Sequence, residues 1–249
     1  MFEERYCAFI DILGFSSTVR ELEVSPNPQR LDRLLSCLSF IADEQFESAY
    51  TTDLPIYNLE DGNLIERELG DPRTTYISDC VVISTERTPD GFKQICNKAS
   101  KIWTEMLVDG YLCRGAISGG PLIHDNRIIM GSAYMNAYKL EGEAIDPKVV
   151  IDKSLSEIND LYPSVFPNCP PTIERGQDGI LYLRMFPFRY FPPHCYDWTT
   201  YLLRIREYLS NGLKSQDERV QKKYEFARSE FNFALSEYRP FLENQLQPL

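Results

Sequence analysis

Two acidic side chains stand where carboxylates are costly. Asp11 interrupts an apolar run, RYCAFIDIL at residues 5–13, with Phe9, Ile10, Ile12 and Leu13 around it. A charge in such a strand has to be paired or to hold a cation, because an isolated buried carboxylate is expensive to desolvate. Asp79 stands where two β-rich stretches meet in TTYISDCVVIST, residues 74–85. If those stretches form a hairpin beside the first run, the hinge brings Asp79 close to Asp11. Two carboxylates converging on hard divalent cations beside a glycine turn make a two-metal triphosphate site. The competing reading pairs Asp11 with an arginine and leaves Asp79 an ordinary turn acid.

The elements that must position these groups are legible in outline. The first strand ends at Gly14-Phe15-Ser16-Ser17, a turn with hydroxyl residues able to cap a following helix. Leu31, Leu34, Leu35, Leu38, Ile41 and Ala42 keep helical spacing between Pro28 and Tyr50. Residues 51–72 carry Pro, Gly, Asn and Asp in number and read as a surface insertion. Two short strands hinge at Ser78-Asp79, and a helix runs from about Asp90 to Val108. YLCRGAISGGPLI, residues 111–123, reads as two further strands broken at Gly119-Gly120-Pro121. A short helix follows from Gly131 to Glu141, then a strand from Lys148 to Asp152. The order strand, helix, two strands, helix, strand predicts a ferredoxin-like or palm-type α+β sheet, βαββαβ, over residues 1–155. Prolines at 163, 167, 170 and 171 mark a boundary, and residues 156–249 read as a C-terminal extension. Val220, Tyr224, Ala227, Phe231, Ala234 and Tyr238 step at heptad spacing after an amphipathic run from Trp198 to Leu209, which predicts a helical hairpin.

Composition narrows the function classes. The formal net charge is −11, which argues against general nucleic-acid binding, because phosphate contacts need clustered Lys and Arg. It leaves a nucleotide substrate open, since bound cations reverse the local field. Seven scattered cysteines without a CxxC pair, and two histidines, fit idle thiols in a reducing compartment better than a disulfide frame or a zinc site. His124 and His194 lack metal spacing and read as surface or structural residues; Cys80 reads as a small core residue. The N-terminus lacks a signal-peptide pattern and no apolar run approaches bilayer length, so a cytoplasmic protein without membrane contact is expected.

Phe9-Ile10-Asp11-Ile12-Leu13-Gly14-Phe15, then Ser78-Asp79, then Arg114-Gly115-Ala116-Ile117-Ser118-Gly119-Gly120-Pro121, then Gly131 through Glu141, resembles the class III nucleotidyl cyclase catalytic domain across about residues 5–152. The resemblance implies that Asp11, the carbonyl of Ile12 and Asp79 bind two divalent ions, Mn²⁺ or Mg²⁺. It implies that Gly14, Phe15 and Ser16 approach the triphosphate through backbone N–H groups. It further implies in-line attack of a ribose 3′-hydroxyl on the α-phosphorus with loss of pyrophosphate. A homodimer with composite sites follows from the same likeness, metals from one subunit and Lys139 from the other.

Departures from the family pattern matter as much. Met135 stands at the late motif's Asn position and Lys139 at its Arg position, with Asn136 able to serve after a one-residue shift. Lys139 is either a phosphate-neutralising point charge or a solvated helix lysine. Arg114 reaches substrate phosphates or, better favoured, pairs across the sheet. Thr75 replaces the purine-reading Lys or Glu four residues before Asp79, bulky Tyr76 stands beside it, and the partner acid is replaced by Ile128 or Ile129. Tyr76 is either a base contact that favours a smaller ring or a plain strand aromatic. This pattern resembles the pyrimidine cyclases of bacterial antiphage signalling (Pycsar). It implies UTP conversion to cyclic UMP for a separate cyclic-nucleotide-sensing effector. Alternatives are a cytidylate cyclase, an adenylate cyclase with altered base reading, and a catalytically silent nucleotide-binding module.

Overall fold

The computed structural model describes residues 1–42, 56–58, 64–66, 70–125, 127–155, 173–184, 198–238 and 249. In chain order its elements are β1 (Glu3–Ile12), α1 (Phe15–Val24), α2 (Pro28–Ala42), β2 (Ile56–Asn58), β3 (Leu64–Glu66), β4 (Arg73–Ile77), β5 (Cys80–Glu86), α3 (Pro89–Val108), β6 (Cys113–His124), β7 (Ile129–Gly131), α4 (Ser132–Glu143), β8 (Val149–Ile151), β9 (Ile173–Arg175), β10 (Leu181–Leu183), α5 (Trp198–Gly212) and α6 (Glu218–Tyr238).

β1 is the central strand because its residues are apolar on both faces. Tyr6, Ala8, Ile10 and Ile12 enter one hydrophobic cluster while Cys7 and Phe9 enter another, the two-residue period of a strand buried on both sides. β1 pairs antiparallel with β5 on one edge and β6 on the other, and β4 closes the outer edge. The order β4-β5-β1-β6, with helices between β1 and β4 and between β5 and β6, is the ferredoxin-like βαββαβ arrangement expected from the sequence. It is an α+β fold.

The helices divide between the faces. α2 and α3 supply Leu34, Phe92, Ile95, Ala99, Ile102 and Met106 to the larger cluster. α3 starts where the Thr88 side chain accepts from the Gly91 N–H at 3.0 Å, with Pro89 in the first turn. Trp103 Nε1–H donates to the Cys113 carbonyl at 2.9 Å and ties α3 to the start of β6. α4 packs on the other face through Ala133 and Ala137 against Phe9, Val82 and Leu122.

One expectation meets a different outcome. Gly119-Gly120-Pro121 does not break the chain into two strands: β6 runs from Cys113 to His124 and pairs with β1 through Leu122. On its other edge the β8 ladder stops at Ile117 and the β7 ladder starts at Leu122, so Pro121 lies in the gap where a missing N–H costs no pairing on that side. The residues after 155 share the sheet and core of those before it. β10 pairs with β8 and β9 with β10. Leu202, Ile205 and Leu209 of α5 and Ala227, Phe231 and Ala234 of α6 lie in the same cluster as α3. The helical hairpin is present as expected.

Part of the 51–72 insertion is an antiparallel pair, β2 with β3; residues 51–55, 59–63 and 67–69, the four prolines and His194 lie outside the described residues. Cys7, Cys80, Cys96 and Cys113 are free thiols, with Cys80 the only half-buried one of these four. No helix among the described residues is long and apolar enough to cross a membrane.

Candidate active site

Asp11 comes one residue before the end of β1, and strand alternation sets it on the α4 side of the sheet with Cys7 and Phe9. Its register partners are Cys80 on β5 and Arg114 on β6. The β4–β5 turn at Ser78-Asp79 then folds over the strand end, and the Ile12 N–H donates to the Asp79 carbonyl at 2.9 Å. Carboxylate oxygens of Asp11 and Asp79 and the Cys80 sulfur all lie within 4.8 Å of one another. The hinge expected from two β-rich runs is therefore what brings the two acids together.

The backbone beyond Asp11 is held from two directions: the Leu13 N–H donates to the Leu112 carbonyl at 2.8 Å. Gly14 follows with φ +78°, and a Cβ there would meet nothing within 4 Å. Glycine is favoured by the left-handed backbone angle and not by lack of space. α1 begins at Phe15 with no side chain capping its N-terminus, and its first helical bond is Thr18 N–H to the Gly14 carbonyl at 3.0 Å. The N–H groups of Phe15, Ser16 and Ser17 thus precede the helical ladder, and the positive end of the helix dipole is beside the carboxylate pair. Anionic oxygens bind readily at such a helix start.

The local field is negative. Burial, then Glu141, then Asp79 push the Asp11 carboxyl up to about 6, against a Cys80 hydrogen bond and the Arg114 charge. Burial, then Asp11, then Asp79 push the Cys80 thiol up to about 12, so it is a neutral neighbour that donates weakly to Asp11 and Asp79 at 3.7 Å each. A divalent cation would relieve this repulsion, and a pair of hard carboxylate donors suits Mg²⁺ or Mn²⁺. Arg114 does not supply the relief alone. Its Nε donates to buried Glu141 at 2.5 Å and its Nη1 to the Ala144 carbonyl at 2.9 Å. Its partners are at the end of α4, not across the sheet as the favoured expectation had it.

α4 carries the late-motif residues on its outer side. Lys139 is exposed and makes a loose 3.9 Å pair with Glu143. Asn136 is exposed, and Met135 is 67% exposed. Tyr134 and the exposed Tyr138 both stand edge-on to Phe9, at 6.1 and 5.2 Å.

β4 divides its residues between the two faces of the sheet. Opposite Val81, Tyr76 packs against the larger, helix-side cluster. Thr75, opposite Val82, and Ile77, opposite Cys80, share the face of Asp11. Tyr76 is thus on the far side of the sheet from Asp11, and Thr75 is on the Asp11 side. The reason is parity: neighbouring strand residues point to opposite faces. Ile129 packs with the smaller cluster and Ile128 is half exposed.

His124, expected to be structural or surface, is 2% exposed. Its Nε2 is 2.9 Å from Thr75 Oγ1 and its Nδ1 2.8 Å from Ser84 Oγ. Sequence reading missed this link; Arg5 and Ser84 lie inside β-rich runs on the same face as Asp11, a polar pattern in otherwise apolar strands that could have signalled it. Burial first, then Arg5 and Arg73, hold the imidazole down at about 4, against Asp125 and Asp71. The folded value lies below the unfolded one, so neutral His124 contributes stability that is complete above about pH 6.5 and is lost as pH falls toward 4. Denaturant midpoints compared between pH 7.5 and 4.5 should show about 2–3 kcal/mol more acid loss in the wild type than in His124→Gln. Equal acid loss in both would contradict a buried neutral imidazole.

No protein-family profile and no curated protein sequence matches this chain. Among solved structures, the chain is similar to the adenylyl cyclase CyaB from P. aeruginosa, with a TM-score of 0.48 and 13% identity over 74% of this chain and 94% of that one. It is similar also to the catalytic core of a rhodopsin-guanylyl cyclase with converted specificity in complex with ATPαS, with a TM-score of 0.41 and 16% identity over 73% and 94%. A class III adenylyl cyclase-like ATP-binding protein from Pseudomonas aeruginosa gives 0.38 and 13% over 72% and 38%. Likeness at these scores does not carry a function, which has to be argued from the residues.

Proposed function

We propose that this chain is a class III nucleotidyl cyclase that converts UTP to 3′,5′-cyclic UMP and pyrophosphate, as a second-messenger synthase in antiphage defence. The observation that carries the reading is the meeting of Asp11 and Asp79 within 4.8 Å, at the end of the central strand and beside the uncapped start of α1. Two divalent ions, when bound, supply Lewis acidity for the 3′-hydroxyl and charge neutralisation for the triphosphate. Asp11, Asp79 and the Ile12 carbonyl would hold them. The N–H groups of Phe15 and Ser16 bind phosphate oxygens, and the Gly14 turn lets the backbone come close. The 3′-oxygen to α-phosphorus bond forms as the bond from the α-phosphorus to the bridging oxygen breaks, and the hydroxyl proton leaves to solvent or pyrophosphate.

Lys139 and Asn136 face solvent on the outer side of α4. That placement supports their use on the site of a second copy, in a homodimer with two composite sites. The experiment is mass spectrometry of products after the protein is incubated with each of ATP, GTP, CTP and UTP and Mn²⁺ or Mg²⁺. Cyclic UMP in excess over the other products is expected. Absence of every cyclic product from folded, dimeric protein would sink the enzyme reading, and a dominant purine product would sink the pyrimidine one.

A further inference from the structure

On the face of the sheet that carries Asp11, α4 covers β1 and β6 but leaves the β4 edge open, where Ile77 is 55% exposed. Thr75 borders that open strip and is half-buried. Behind it runs a chain of polar side chains. Arg5 is 1% exposed and its Nε donates to Ser84 Oγ at 3.0 Å. Ser84 Oγ is 2.8 Å from His124 Nδ1, and His124 Nε2 is 2.9 Å from Thr75 Oγ1.

We infer that Arg5, Ser84, His124 and Thr75 form a one-way hydrogen-bond relay that fixes the Thr75 hydroxyl as a donor toward the substrate, selecting a nucleobase with a ring carbonyl over one with an amino group at the same place. The inference rests on the cyclase reading above and deepens it by naming how the base is chosen.

The direction of the relay follows from what each group can do. A guanidinium only donates, so Ser84 Oγ accepts from Arg5. Ser84 is fully buried, and its own proton needs an acceptor, because a buried hydroxyl left unsatisfied is costly. Among the described residues, the remaining side-chain partner of that hydroxyl is His124 Nδ1. His124 Nδ1 is therefore a bare acceptor, and a neutral imidazole with a bare Nδ1 carries its proton on Nε2. Nε2–H then donates to Thr75 Oγ1, which leaves the threonine proton to point into the open strip.

Two further features keep the relay from reversing. Arg5 is held by Asp71 and Glu3 through Nη1 at 3.1 and 2.9 Å, and an arginine does not give up its proton. The His124 carbonyl accepts from Arg73 Nη1 at 2.8 Å, which fixes the imidazole's backbone. A hydroxyl so oriented meets uracil O4 or guanine O6 as donor to acceptor. The amino group of cytosine or adenine would meet it donor to donor. A site that leaves a polar group unpaired with the wrong substrate discriminates by roughly tenfold to a hundredfold.

The test uses the full chain. With ¹⁵N-labelled histidine at pH 7.5, the His124 signal, assigned by loss in His124→Gln or by elimination in His194→Gln, should show a protonated Nε2 and an unprotonated Nδ1. The opposite tautomer, or a doubly protonated ring, overturns the relay, since Thr75 would then present a lone pair or a different partner. In the product assay, kcat/KM for UTP should exceed that for CTP by at least about tenfold. Thr75→Val should bring the ratio within about threefold, and Thr75→Ser should restore it. A ratio unchanged in Thr75→Val, or a preference for CTP in the wild type, overturns the proposal while leaving cyclase activity in place. If no triphosphate is cyclised, the cyclase reading falls, and Kd values for UTP and CTP decide the relay: preference for UTP lost in Thr75→Val upholds it, equal affinities overturn it.

Discussion

Asp79→Ala is expected to lower cyclic nucleotide formation by on the order of 10³-fold while the protein stays folded. The side chain and the backbone of Asp79 do separate jobs. Its carbonyl accepts from the Ile12 N–H at 2.9 Å, and that bond survives the substitution. Its carboxylate is half-buried on a turn, next to Asp11 and Cys80. Removing it also removes one of the charges that raise the Asp11 carboxyl, so the metal-free variant should be no less stable than the wild type. What disappears is the second hard donor. Thermal stabilisation by Mn²⁺ should therefore fall together with turnover, and Asp11→Asn should behave the same way. Turnover above a tenth of wild type in Asp79→Ala, or an unchanged Mn²⁺ shift, would remove the carboxylate pair from the mechanism.

Asp71→Asn is expected to cost about 3 kcal/mol of stability, read as a lowered denaturant midpoint. Asp71 is 6% exposed and adopts φ 44°. Asparagine tolerates that backbone angle, so the change isolates the charge. Arg73 donates to Asp71 Oδ2 through Nη2 at 2.6 Å and Nε at 3.1 Å, and Arg5 through Nη1 at 3.1 Å. Burial alone would raise this carboxyl; Arg73 and Arg5 outweigh it and hold it below the ordinary range. Without the charge, Arg5 stays inside the protein with half-exposed Glu3 as its remaining carboxylate partner in this cluster. A buried guanidinium that loses its carboxylate is strongly destabilising, because the desolvation cost remains after the attraction has gone. A loss under about 0.5 kcal/mol would mean that water reaches Arg5.

Much of the framework was legible in the residues alone. An apolar strand interrupted by Asp11, a glycine turn, and two β-rich runs meeting at Asp79 are local patterns, and each became the expected element: β1, the start of α1, and the β4–β5 hairpin. The α3 helix and the tail hairpin were legible for the same reason, since hydrophobic period reports helix or strand without knowledge of neighbours. β9 and β10 were not. At three residues each, they owe their existence to the free edge of β8, and a run that short has no period of its own.

The sequence by itself determined which chemistry is available: two carboxylates, a glycine-led helix start and a lysine on α4. Only the tertiary structure decided which of those groups meet and which way they point. Strand register placed Asp11 opposite Cys80 and Thr75 opposite Val82, and so turned Tyr76 to the far face. Pairing of strands distant in sequence joined Arg5, Ser84, His124 and Thr75 into one chain. Side-chain direction in a sheet changes with every residue, while its partners are set by strands 40 or more positions away, as Ser84 and His124 are. No local pattern encodes that.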